Sequence, residues 1–149
     1  MTTVIESEKD AFFEDVNAAA KKAIWSALAT VKDGEPRVRM VHPTWEGDVL
    51  WFATGPETAK AKQIAQQPMI DIQFQVAPPE FVHLMARGKA TIYSDQETKN
   101  HAWEVIDYDL AQFWSDGPTS PEFVAIKLVP DRVELSEMFG TVNKRVWTR

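Results

Sequence analysis

Short apolar runs joined by turns with no room for a crossover limit the fold of this chain more than any other feature. The run IWSALATV (24–31) ends at Asp33-Gly34, a dipeptide suited to the positive φ angles of a tight hairpin, and the next strand, near Pro36 to Pro43, follows at once. A second turn at Glu46-Gly47-Asp48 leads directly into VLWFAT (49–54). Parallel neighbours need a crossover of about a dozen residues, so these three strands run antiparallel and a doubly wound parallel sheet is disfavoured. Further on, a helix over 59–67 precedes two more strands, IDIQFQV (70–76) and FVHLMARGKATIY (81–93). Asp95 is placed as the N-cap of a helix over 96–106, and a short helical piece precedes Ser115-Asp116-Gly117-Pro118. Strands near 122–129 and 131–136 complete the set.

Ahead of these strands, Phe12, Phe13, Val16, Ala19, Ala20 and Ala23 recur at near-helical spacing among acidic and lysine residues, which predicts an amphipathic helix over 8–23. The expected architecture is mainly β (α+β): a closed or nearly closed antiparallel barrel of six to seven strands with helices at its ends. With 149 residues, 44% of them hydrophobic, the chain suits one domain over 1–149. Residues 1–23 form the N-terminal helical segment, 24–136 the barrel and 137–149 a C-terminal tail. Within VLWFAT, period two sends Trp51 and Phe52 to opposite faces, so the two cannot both be core, and one of them is expected to face an end helix, the partner or the ligand.

Several functions drop out on composition. A net charge of -6 argues against a nucleic-acid surface, which needs a basic face. Cysteine is absent, and thiolate nucleophiles, disulfides and iron–sulfur ligation go with it. His42, His83 and His101 lack the close spacing of metal ligands, so no metal site is expected. No G-x-S-x-G frame supports a serine nucleophile. An acidic N-terminus without an apolar stretch does not resemble a signal peptide, and a cytoplasmic location is expected.

What remains is a seat for an anion. In TGPETAK (54–60), Thr54 and Thr58 offer hydroxyls and Lys60 a positive charge, while a helix opening near Ala59 turns free N–H groups and its positive dipole end to the same place. On the preceding strand, Arg37, Arg39 and Val41 share one face, with Val38, Met40 and His42 on the other. Arg39 is the side chain suited to reach a phosphorylated ligand from there.

The motifs RMV (39–41), FAT (52–54), T-x-K (58–60), KQI (62–64) and RGKA (87–90) occur in an order that resembles the pyridoxamine-phosphate-oxidase-like flavoproteins, and most closely their short general stress protein 26 branch. The resemblance runs from about Ile24 to Glu134. It implies an FMN-binding split β-barrel homodimer with the flavin at the subunit interface. It also implies roles for six residues: Arg39 toward the flavin, the backbone of Met40 and Val41 along its ring, and Thr54, Thr58 and Lys60 at the phosphate and ribityl chain. The chain departs from the oxidases at Ala59 (an arginine there), Thr44 (a lysine), Phe81 (a glutamine) and Ser136 (a tryptophan in many relatives), and GTVNKRVWTR holds no counterpart of their substrate-gripping arginine and histidine. Oxidation of pyridoxamine phosphate is therefore not expected. A flavin-dependent oxidoreductase acting on a small acceptor is the leading reading. A non-enzymatic flavin carrier or sensor, or a barrel using a deazaflavin or haem, stays open beside it.

Overall fold

Asp33 and Gly34 adopt φ values of 53° and 77°, the left-handed pair that closes a two-residue hairpin. A computed structural model describes residues 1–23 and 25–149; Ile24, where a strand was expected to begin, lies outside the described residues. In chain order the elements are β1 (Thr2–Thr3), α1 (Lys9–Ala20), β2 (Ser26–Lys32), β3 (Glu35–Val41), β4 (Thr44–Glu46) and β5 (Val49–Thr54). They continue with α2 (Ala59–Gln66), β6 (Met69–Gln75), β7 (His83–Tyr93), α3 (Gln96–Val105), β8 (Val124–Glu137) and β9 (Val142–Thr148). Short single-turn helices fill several of the connections.

The strands pair in the order β1-β9-β8-β7-β6-β2-β3, with β5 branching off β8 and carrying β4. All pairs are antiparallel except β1 with β9. The sheet splits along β8: Val124 to Leu128 face β5, whereas Arg132 to Glu137 face β9. This is a split barrel with flanking helices, as expected in class, although its sheet is open and contains one parallel pair. Two expectations need correction. The segment 137–149, set outside the barrel as a tail, contributes β9, whose Val146 and Trp147 are buried. The strands expected near 122–129 and 131–136 are one continuous strand, β8. Pro130 lacks an N–H and reads locally as a break, but a register shift opposite Arg87 and Gly88 lets the strand pass through it. With β1 and β4 added, the described residues hold nine strands, above the six to seven expected.

Alternation along β5 separates two cores. Leu50 and Phe52 enter the barrel interior, where they meet Phe12, Phe13 and Val16 of α1. Trp51 points the opposite way, into a second cluster with Ala102, Ile106, Leu110 and Phe123 under α3. The opposite facing holds and Trp51 meets an end helix, but both aromatics are buried, so the expectation that they cannot both be core is corrected: a second core under α3 takes the outer face of β5. Asp95 caps α3 as expected, accepting from the Thr98 N–H at 3.0 Å. Lys99 of α3 is buried despite its charge, its Nζ donating to Ser120 O at 2.7 Å.

Candidate functional site

The end of β3, the end of β5 and the start of α2 meet at a groove of about 740 Å³. Met40, Val41, Thr54, Thr58 and Lys60 all line it, so five of the six residues selected from sequence share one surface. Thr58 is the N-cap of α2: its hydroxyl accepts from Ala61 N–H at 3.4 Å and donates to Gly55 O at 2.9 Å. Thr54 and Thr58 hydroxyls lie 3.0 Å apart. The turn is therefore held in shape by the same oxygens that face the groove. Thr58→Ala should cost about 1 kcal/mol through the lost cap, read as a lower urea midpoint with an unchanged slope.

Arg39 stands behind this surface rather than in its lining. Its guanidinium donates to Thr30 Oγ1 at 2.7 Å, to Leu28 O at 3.2 Å and to Gln63 Oε1 at 2.5 Å, tying β3 to β2 and α2. All three acceptors are neutral. Arg37, which shares its strand face, pairs instead with exposed Glu35 at 3.1 Å. The Lys60 ammonium is pushed below its usual range, first by burial and then by repulsion from Arg39. Arg39 is itself lowered by burial and by Arg37. Glu57, on the same turn, pairs with Lys62 at 3.1 Å. Among the described residues no carboxylate neutralises either Lys60 or Arg39, so the groove is cationic at Lys60, with Arg39 behind it.

The remaining walls are mostly apolar and aromatic. Trp25, Tyr108, Phe113 and Trp114 line the groove beside Met40 and Val41, and His42 and Gln112 join them. The contribution from 108–114 is absent from the residues marked by sequence, where only a short helical piece before Ser115 is expected. Its density of aromatics, YDLAQFW, was the available signal. Trp25, Phe113, Met40 and the neighbouring Val38 are 63%, 67%, 59% and 67% exposed. The other sequence-marked positions lie elsewhere: Phe81 packs on Phe139 at 5.4 Å, Ser136 is buried near His83 and Ala59 is exposed at the first turn of α2. His83 meets Gln73 and His101 meets Glu46, and no metal-binding cluster occurs among the described residues. No helix among them is long and apolar enough to cross a membrane.

The chain thus combines a split barrel with a groove whose walls are mostly apolar and aromatic and whose Lys60 end has no carboxylate partner among the described residues. Over residues 12–137 the sequence matches the family model described as pyridoxamine 5'-phosphate oxidase, and the chain belongs to that family. General stress protein 26 of Bacillus subtilis (strain 168) is 28% identical over 111 residues, covering 73% of this chain and 76% of that protein. Among solved structures, a protein related to general stress protein 26 from Clostridium acetobutylicum superposes with a TM-score of 0.75 at 16% identity, over 93% of this chain and 95% of that one. A heme binding protein from Mycobacterium smegmatis gives 0.74 at 17% identity, over 97% of this chain and 59% of that one.

Proposed function

We propose that the groove binds FMN. The observation that carries this reading is the approach of Lys60 and Arg39, two cations that no carboxylate neutralises among the described residues, at one end of a groove whose other walls are mostly apolar and aromatic. FMN has the matching halves, a phosphate dianion and a flat apolar ring. Lys60, Thr54 and Thr58 would hold the phosphate, with the open N–H groups of the first turn of α2 beside them. Met40 and Val41 would pack along the ring, and Arg39 would balance negative charge from behind. The bound flavin would supply the electron-transfer chemistry, and the protein the binding, orientation and electrostatics. Titration of purified protein with FMN should quench flavin fluorescence with micromolar affinity or tighter; full fluorescence throughout would overturn the reading.

We further read the protein as an oxidoreductase acting on a small acceptor, in keeping with its family. Bleaching of the FMN-loaded protein by NADH or NADPH, followed by recovery in air, separates this from a passive carrier or sensor. A haem reading is favoured by the Mycobacterium smegmatis relative alone. The visible spectrum of untreated protein distinguishes the two, since haem gives one intense sharp band and flavin two broad ones. A homodimer across this face is supported by the free edge of β3 and by the exposed Trp25, Val38, Met40 and Phe113 around the groove. A monomeric mass at micromolar concentration would contradict it.

A further inference from the structure

His42 leaves β3 at the rim of the groove and is fixed there from two directions. Its Nε2 lies 2.9 Å from Asp107 Oδ1, and its ring stacks on Tyr108 with centroids 4.4 Å apart and planes at 29°. Asp107 is itself held: Thr44 Oγ1 donates to the same carboxylate oxygen at 3.0 Å, and the Asp107 N–H donates to Thr44 Oγ1 at 3.1 Å. A carboxylate on Nε2 keeps the proton on that nitrogen and leaves Nδ1 as the exchanging atom. Nδ1 has no partner among the described residues, and His42 and Tyr108 both line the groove. Thr44, Asp107 and His42 thus form a hydroxyl–carboxylate–imidazole relay at the rim of the groove.

We propose that His42 is a proton-linked contact of the groove, taking a proton from water onto Nδ1 when a ligand bearing a carbonyl-type acceptor binds, with Asp107 and Thr44 as its positioning residues. This rests on the FMN reading, whose ring offers such acceptors. The other titratable groups around His42 are Tyr108, whose hydroxyl is raised by burial and by Asp107, Lys21 across the hollow beneath Thr44, and Lys60 along the groove. Of these side-chain types, imidazole is the one whose unperturbed charge change falls near neutral pH.

The test is FMN affinity from about pH 5.5 to 8.5 in the parent, His42→Gln and Asp107→Asn, together with the imidazole nitrogen resonances of His42 with and without FMN. The phosphate titrates in the same range in all three, so the difference between proteins isolates the imidazole. Relative to His42→Gln, the parent should lose about tenfold in affinity as pH rises across this window, equivalent to one unit of pKa difference between free and loaded protein. Asp107→Asn should shrink that difference while leaving FMN bound. His42 resonances should move on loading toward the protonated pattern. Resonances unmoved by bound FMN, or identical pH profiles in parent and His42→Gln, would overturn the linkage and leave the cofactor reading standing. Absence of FMN binding to the parent would overturn both.

Discussion

Replacing Lys60 by alanine should weaken FMN binding by about 10- to 100-fold, because a charged hydrogen bond to phosphate contributes about 1.5–3 kcal/mol. The side chain is half-buried and pays for that burial together with repulsion from Arg39. An anion in the groove relieves both. Stability should be maintained in this variant: alanine is the better helix former, and the substitution removes a like-charge contact at the first turn of α2. Lys62→Ala is the control, since Lys62 is exposed and paired with Glu57 at 3.1 Å, and its affinity should match the parent. Fluorescence titration reads both variants. Equal affinities for the parent and Lys60→Ala would move the phosphate away from α2.

Gly88→Ala should have the largest effect on folding, about 3 kcal/mol of stability, seen as a lower midpoint in denaturant. A Cβ at Gly88 would lie 2.3 Å from Val129 O, 2.8 Å from Pro130 Cα and 3.0 Å from Asp131 N. All three are backbone atoms, so no side chain can rotate out of the way. The contact sits where β8 passes through Pro130 with a register shift, and relaxing it means pulling β7 from β8 along the longest pairing in the sheet. Gly34→Ala makes the comparison sharper. Its φ of 77° strains any side chain, but nothing lies within 4 Å, so its loss should be limited to about 1 kcal/mol of backbone preference. Equal losses at the two positions would show that close packing at Gly88 is not the cause.

Gly88 also shows how a sequence marker acquires a reason. RGKA entered the sequence reading as one of five motifs in order, with no mechanical meaning. In the fold its glycine is the site where two strand backbones come close enough to exclude a Cβ. The geometry of the Thr54–Lys60 turn was legible earlier, because it depends on a strand, a capping threonine and a lysine within seven residues, all set locally. Arg39 was legible as a cation but not in its position: whether it enters the groove or ties β2 to α2 depends on Thr30 and Gln63, remote in sequence. The aromatic wall at 108–114 and the relay of His42, Asp107 and Thr44 depend on a loop folding back across about 60 residues, which no local pattern encodes.

By itself the sequence determined the antiparallel hairpins, the three longer helices, the separation of Trp51 from Phe52 and the cationic turn, since each follows from periodicity, turn chemistry or capping over a few neighbours. Tertiary structure alone decided that β8 runs unbroken through Pro130, that 142–148 closes onto it as β9, and that Lys99 of α3 is buried. It also decided which side chains form the groove. The physical reason is the same in each case: strand pairing and burial are settled by contacts distant in sequence, whose gain overrides local signals such as a proline, a tail or a charged helix face.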